Sequence, residues 1–343
     1  MTFLASKKKV VIIGGGNGSA KSIRALKRFA DRLELTAVIS VSDSGGSSGQ
    51  LRREFDTLPT GDILRAVLAM SRYDYDILKP IFYGQRFRDA GKLDRHNLGN
   101  LFLVLSSHYG ADITASIRAL SQAVEAVGQV YPVSLDKIHL AVELSDGAII
   151  RTEGEIDRPA YDRSCRISRA WLEPEGQIYE PARQAIESAD YIVIGPGSLY
   201  CSIIAALLPA GVRQAVGRSA AKIIFVAGNA FELEGETGPE RLSDFVYELQ
   251  AYLPRKIDLV LYNNHPLSVE KEAEYRAKRW ALFAPDVENL ADYNIVEGDY
   301  ERPDRGRPGL SDMKLGNILY QIIFYQTIWN LKKPGKKGVI VLK

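Results

Sequence analysis

Cysteine is nearly missing from this chain. Only Cys165 and Cys201 occur among 343 residues, which argues against a disulfide framework and against a cysteine-based zinc site. No apolar stretch approaches the roughly 20 residues needed to span a bilayer, and Met1–Lys9 lacks the apolar centre of a signal peptide. A cytoplasmic setting with no membrane partner is therefore expected. Neither sign of charge is in excess: 44 basic against 42 acidic residues leave no bulk field to draw the protein toward nucleic acid. No Gly-x-x-x-x-Gly-Lys-Ser/Thr occurs, which argues against a P-loop ATPase or GTPase. No Ser-His-Asp order or Cys-His pair stands out, which argues against acyl transfer. No Pro-, Gly- or Ser-rich linker divides the chain and no repeat is evident. The length suits one large domain, taken as 1–330, followed by a basic tail over 331–343. Within the tail, Lys332-Lys333-Pro334-Gly335-Lys336-Lys337-Gly338 breaks helices and is expected to be solvated.

What is present is three glycine-rich turns, each directly behind a short apolar run. Val10-Val11-Ile12-Ile13 enters Gly14-Gly15-Gly16-Asn17-Gly18-Ser19. Leu35–Val41 enters Asp43-Ser44-Gly45-Gly46-Ser47-Ser48-Gly49, and Tyr191-Ile192-Val193-Ile194 enters Gly195-Pro196-Gly197-Ser198. A β-branched run that ends in glycines and opens into a helix is how α/β proteins expose backbone N–H groups to a phosphate. Glycine lets the backbone approach the anion, and the helix start supplies partial positive charge. Three such turns predict a cleft for a diphosphate, such as a nucleotide's.

Strand and helix alternate through most of the chain. Strands are expected at about 9–14 and 34–42, and helices after the first turn and from Gly61-Asp62, with Asp62 as N-cap. Further helices are expected over about 75–83, 97–107 and 112–125. The alternation changes at about 129–153, where Val130–Val133, Ile138–Leu144 and Ala148–Arg151 read as strands and Ser145-Asp146-Gly147 as a tight turn. That segment predicts a small antiparallel β insert. Parallel βα logic resumes with a helix at about 179–188, strands at 222–227 and 257–262, and a helix at about 239–252. The fold class expected is α/β: a Rossmann-like α/β/α three-layer sandwich with a mostly parallel sheet, the insert, and a helical C-terminal extension. Right-handed crossovers would align the glycine turns along one sheet edge.

An ordinary dehydrogenase fits poorly. Ser19 occupies the third glycine position, and the acidic residue expected about 20 residues on is absent. Asp43 instead stands beside a glycine loop, which suits metal–diphosphate or ribose contact; it is the best catalytic candidate and a metal candidate, with Mg²⁺ as the ion. Phosphate contacts are expected from Gly14, Gly15, Gly16, Gly18, Gly45, Gly46, Ser47 and Ser48, and from Gly195, Gly197, Ser198 and Leu199 in the third cradle. Asn17 either touches ligand or caps the helix. Arg52, more than Arg53, is a bidentate clamp for a diphosphate. Asp62 reads as a cap before a functional acid. His96 stands at a helix start, and Asn97 and Asn100 read a base or sugar edge or satisfy backbone. Tyr200 is a candidate stacking wall. Asn229, Glu236-Thr237, Asn263 and Asn264 are candidate pocket lining, while Cys201, His108 and His139 read as structural. No general base is identifiable.

The same blocks resemble the gluconeogenesis-factor family (YvcK-like), which stands with the 2-phospho-L-lactate transferases (CofD-like) in one superfamily. The resemblance is ordered: Gly14–Gly18, where the family usually has Thr in place of Asn17; Val41–Arg52, where it usually has Ala-Asp-Asp; then Pro59-Thr60-Gly61-Asp62, His96–Leu101, Ile194–Tyr200 and Gly235-Glu236-Thr237. It implies a nucleotide diphosphate site at the sheet's carboxyl edge. For the transferase branch it implies Mg²⁺ and a GDP-linked substrate. For the gluconeogenesis-factor branch, which the Gly-Gly-Ser-Ser-Gly loop favours, it implies a binder of UDP-sugars such as UDP-N-acetylglucosamine and UDP-glucose, linked to central carbon metabolism and cell shape. Tyr275 matches a family position associated with UDP-sugar binding. Ser44 replaces an acidic residue, and Leu310 replaces an Arg two residues before Asp312, with Arg305 or Arg307 as substitutes.

Two functions from different classes follow as expectations. One is a UDP-sugar-binding regulatory protein that signals to a protein partner. The other is a Mg²⁺-dependent transferase acting on a nucleotide-diphospho-linked substrate, in which charge neutralisation and positioning carry most of the rate. A homodimer is the expected assembly.

Overall fold

The structure, a computed structural model, describes residues 6–84, 86–110, 112–303, 308–325 and 339–342. The chain opens with β1 (Lys8–Gly14), α1 (Gly16–Lys27), β2 (Leu33–Ile39), α2 (Gly46–Phe55), α3 (Gly61–Met70) and α4 (Tyr75–Lys79). Next come α5 (Leu98–Tyr109), α6 (Ile113–Ala123), β3 (Gln129–Pro132), β4 (His139–Leu144), β5 (Ile149–Arg151), α7 (Glu153–Asp157) and β6 (Ile167–Glu173). The middle holds α8 (Glu180–Glu187) and β7 (Tyr191–Ile194), then a π-helical turn, Leu199–Ile204, that runs into α9 (Ala205–Leu207). It continues with α10 (Val212–Arg218), β8 (Lys222–Val226), β9 (Ala230–Glu232), α11 (Leu242–Tyr252) and β10 (Leu259–Asn263). The last elements are α12 (Val269–Ala277), β11 (Trp280–Leu282), β12 (Ile295–Gly298), α13 (Asp312–Phe324) and β13 (Val339–Leu342).

Eight strands form one sheet in the order β13-β12-β10-β8-β7-β1-β2-β3, and every pairing in it is parallel. Continuous apolar runs are what a sheet covered on both faces requires: Val10–Ile13, Ile192–Ile194 and Ile223–Val226 are all buried. Helices α1, α3 and α13 pack together on one face, and α8 and α10 pack together elsewhere, giving the three-layer α/β arrangement. From β1 the chain winds outward through β2 and β3 on one side. It winds the other way from β7 through β8, β10 and β12. The β1/β7 boundary is therefore the switch point at which open α/β sheets form ligand crevices.

Two parts of the architecture differ from the sequence expectation. The antiparallel insert is β5-β4-β6, so it spans 139–173, and β6 is its third strand. The 129–132 run lies outside it as edge strand β3, parallel to β2. Pro132 at the end of that run removes a donor, which an edge position tolerates. The C-terminal region carries its expected helices, α12 and α13, but also adds strands β12 and β13. The basic stretch 331–338 and Arg305 and Arg307 lie outside the described residues.

Helix α13 lies directly on α1 through Gly316, where an added Cβ would stand 2.5 Å from the Ala25 carbonyl oxygen. Backbone against backbone leaves no side chain to yield. Gly316→Ala is expected to destabilise the fold by about 1–3 kcal/mol through overpacking; an unchanged thermal midpoint would refute this account of the α1–α13 contact.

Candidate functional site

Level register brings the three glycine turns together. Gly14 pairs beside Ile39, and Ile13 beside Ile194. The Ser40 N–H donates to Gly14 O at 3.0 Å, and the Gly195 N–H to Ile13 O at 3.2 Å. All three turns therefore leave the sheet at one height, and they open on one cavity of about 600 Å³. Its wall includes Gly16, Asn17 and Gly18 from the first turn, Asp43 and Gly45–Ser48 from the second, and Pro196–Leu199 from the third. The first and third turns touch: a Cβ on Gly18 would overlap the Pro196 carbonyl. Helices α1 and α2 begin at this wall, with Gly15 and Gly45 as their N-caps, so the positive ends of two helices face the space. Asn17 sits inside α1 and lines the cavity, so it is not the cap.

The second turn is braced from behind. Ser47 Oγ lies 2.9 Å from His96 Nδ1 and accepts from Asn100 Nδ2 at 3.3 Å. Asn97 Oδ1 accepts the Asn100 N–H at 2.8 Å, capping α5. Asn100 lines the cavity although it is only 1% exposed, and its Oδ1 has no partner among the described residues. A buried polar atom in that state calls for a partner from outside the chain. His96 and Asn97 stand one layer back, and burial pushes the His96 pKa down, so its imidazole is neutral near pH 7.

Carboxylates crowd the same cavity. Asp43 Oδ1 accepts the Gly45 N–H at 2.8 Å. The neighbouring Ser44 donates its N–H to Glu153 Oε2 at 3.3 Å, and its Oγ accepts from the Gly154 N–H at 2.9 Å. Glu153 belongs to α7, carried by the β insert, and it stands beside the position where Ser44 replaces an acid. Asp157, also on α7, comes within 4.8 Å of Glu153 and Cys201 through their ligand atoms. Asp62 completes the group and pairs with Arg65 at 2.5 Å. Thr60, not Asp62, is the N-cap of α3; Asp62 occupies the first turn and turns its carboxylate to the cavity. Burial first, then the neighbouring Asp62, raises the Asp43 pKa; burial, Asp43 and Asp157 raise Glu153 further. Hard oxygen donors short of positive charge fit Mg²⁺; Glu153 and Asp157, whose ligand atoms lie within 4.8 Å of one another, with Asp43 on the same wall, are the residues that would hold it, and the Cys201 thiol is too soft for that role.

The third cradle is partly occupied from within. Glu236 accepts the N–H groups of Tyr200 at 3.1 Å and Cys201 at 2.8 Å, so those two donors are taken, while Pro196–Leu199 still line the cavity. Burial pushes the Glu236 pKa up to about 7.

Several residues expected in the site stand elsewhere. Gly14, Gly15 and Gly195 lie behind the cavity wall, within the strand ends and turns. Arg52 points away from it: its Nη2 donates to Ile138 O at 2.7 Å and lies 3.1 Å from His139 Nε2, so it ties α2 to the insert. Tyr200 is in the core, its hydroxyl donating to Glu248 at 2.5 Å, and forms no stacking wall. Tyr275 and Asn263 are also outside the lining. Tyr275 donates to Glu301 at 2.9 Å and accepts from Asn229 Nδ2 at 2.6 Å. Asn263 donates to Glu301 at 3.2 Å. Tyr275 and Glu301 both accept from Asn229, which does line the cavity. Sequence reasoning missed Lys21, Arg65, Glu153, Asp157 and the apolar wall of Phe231, Trp280 and Phe283. Only Lys21 carried a local signal, one helical turn after Asn17; Leu310, where the resemblance implied an Arg, presents an apolar side chain.

Residues 10–299 match the family described as 2-phospho-L-lactate transferase CofD. The gluconeogenesis factor of Halalkalibacterium halodurans is 33% identical over 305 residues, covering 85% of this chain and 91% of that one. The gluconeogenesis factor of Bacillus subtilis is 33% identical over 291 residues, covering 84% and 88%. The crystal structure of a Bacillus halodurans protein superposes with a TM-score of 0.83 at 29% identity, covering 92% of this chain and 100% of that one.

Two tests follow from the geometry. Gly197 lines the cavity at φ +151°, and its Cβ would stand 3.3 Å from Ser202 Cβ. Gly197→Asp is expected to abolish binding of inorganic pyrophosphate, with a thermal melt to verify folding; unchanged affinity removes that turn from the site. The second concerns pH. Below about 4.5 Glu236 is protonated in the folded and unfolded chains alike; as pH rises through about 7 the folded chain must ionise it against burial, and stability falls. Glu153 extends the fall to higher pH. Thermal midpoints should therefore decline from acid to neutral pH, Mg²⁺ should offset the decline, and Glu153→Gln should weaken both effects. A flat profile, or no response to Mg²⁺, would refute the crowded-carboxylate account.

Proposed function

Because this chain belongs to the CofD family, in its gluconeogenesis-factor branch, we propose that it binds a nucleotide-diphospho ligand, a UDP-sugar, and acts as a regulatory protein of central carbon metabolism and cell-wall synthesis. The observation that carries this reading is the meeting of three glycine turns and two helix starts on one cavity at the switch point of a parallel sheet. Backbone N–H groups hold the diphosphate without a P-loop lysine. The apolar wall of Phe231, Trp280 and Phe283 takes a flat or apolar face of the ligand. Asn100 and Asn229 supply the polar edge that selects base or sugar. Regulation follows if ligand binding changes a surface read by a protein partner.

A second reading rests on a different observation. Asp43 and Glu153, both held above the ordinary carboxylate range, are the oxygen pair that a Mg²⁺-dependent transferase requires beside a diphosphate. In that reading Asp43 and Glu153 hold the metal and the glycine turns orient the phosphates; the metal would neutralise charge on the phosphoanhydride.

Calorimetry with UDP-N-acetylglucosamine, UDP-glucose, GDP and NAD, each with and without Mg²⁺, separates the two. Saturable UDP-sugar binding without turnover is the expected result. Metal-dependent GDP binding that disappears in Asp43→Asn would favour the transferase. Binding of NAD alone would overturn both.

A further inference from the structure

Lys21 sits on α1 one turn beyond Asn17, on the same face of the helix. Long side chains in a helix lean back over the turn before them, which carries the Lys21 ammonium toward the start of α1. It lines the cavity together with Asn17, Gly18, Trp280 and Leu310. Its Nζ donates to Leu310 O at 2.8 Å and lies 3.6 Å from where a Cβ on Gly309 would be. An ammonium has three protons to donate, and this bond takes one.

The carboxylates around Lys21 are already engaged. Asp312 is held by Arg24 through contacts of 2.5 and 3.0 Å. Glu301 accepts from Tyr275, Asn229 and Asn263. The other cations of the cavity wall are placed differently. Arg65 is paired with Asp62, and Arg86 and Arg158 are exposed at the rim. Burial lowers the Lys21 pKa to about 8, against the pull of Asp312 and Glu301, the behaviour of a cation lacking an adequate counter-charge. Lys21 and the acidic group of Asp43, Asp62, Glu153 and Asp157 thus give one cavity separate cationic and anionic zones. Independently, the unpartnered Oδ1 of buried Asn100 marks the same cavity as one that takes a ligand.

We propose that Lys21 is the binding residue for the ligand's diphosphate, bridging a phosphate seated at the start of α1 to the Leu310 carbonyl and so fastening the 308–310 segment to the bound ligand. This assignment rests on the diphosphate reading of the cavity, though not on which nucleoside or sugar is attached.

The test titrates inorganic pyrophosphate and UDP-glucose separately into the wild-type protein and into Lys21→Met, Lys21→Arg and Arg213→Ala, with thermal melts to verify folding. Lys21→Met is expected to weaken both ligands by at least about tenfold, the usual worth of a charge-assisted hydrogen bond. Lys21→Arg should recover most of the loss, and Arg213→Ala, an exposed position on α10 outside the cavity lining, should leave affinity unchanged. NMR of the ¹³C-dimethylated wild-type protein reads the same contact without a variant that must fold: the Lys21 methyl signal, assigned by its loss in Lys21→Arg, should shift on adding pyrophosphate. Equal affinities in wild type and Lys21→Met, or a Lys21 signal that stays still while pyrophosphate binds, would overturn the assignment. Pyrophosphate binding that depends on Lys21 without UDP-glucose binding would leave the lysine in place and remove the UDP-sugar reading. A wild-type protein that takes neither ligand would defeat both.

Discussion

The level register of β7, β1 and β2 is the constraint on which the rest of this structure depends. Because Ile13 lies beside Ile194 and Gly14 beside Ile39, three turns far apart in sequence leave the sheet at one height. A slip of one residue in either pairing would invert the faces of a strand and lift one turn out of the cavity wall. Burial enforces the register, since Val10–Ile13 and Ile192–Ile194 are covered on both faces by helices. Close approach then does the rest. Gly18 meets the Pro196 carbonyl with no room for a side chain, so two turns distant in sequence become one surface.

Onto that surface the fold imposes an uneven charge. The starts of α1 and α2 and the Lys21 ammonium make one part of the cavity attractive to anions. Asp43, Glu153 and Asp157 make another part costly without a cation, because each of these carboxylates is partly desolvated and faces others, Asp62 among them. The β insert is integral to this arrangement: it carries α7, and α7 carries Glu153 and Asp157. Arg52 fastens α2 to the same insert through Ile138, so the residue expected to clamp phosphate instead holds the acidic arm in place.

Legibility from sequence followed how local each signal was. The strand–glycine–helix pattern is local, and it located the first, second and third turns within a residue or two. Asp43, Gly45–Ser48, Asn100, Asn229 and Ser198 were reachable because each directly follows a strand or opens a helix. Glu153 was not, because nothing near it in sequence distinguishes it from any surface glutamate; only the packing of the insert brings it beside Ser44. Tyr275 and Asn263 erred in the opposite sense. Both belong to the neighbourhood, but Glu301, from a distant loop, draws their polar atoms away from the cavity.

The sequence by itself determined the alternating α/β order, the glycine turns behind its strands and the family to which the chain belongs, since each of these is written in contiguous residues whose backbone preferences act over a few positions. Tertiary structure alone decided which side chains face the cavity, that β3 joins the parallel sheet while β6 completes the insert, and that an apolar Leu310 stands beside a lysine from α1. Those outcomes depend on contacts between segments far apart in the chain, and no local propensity encodes which of several compatible partners a strand or a side chain finds once the core has closed.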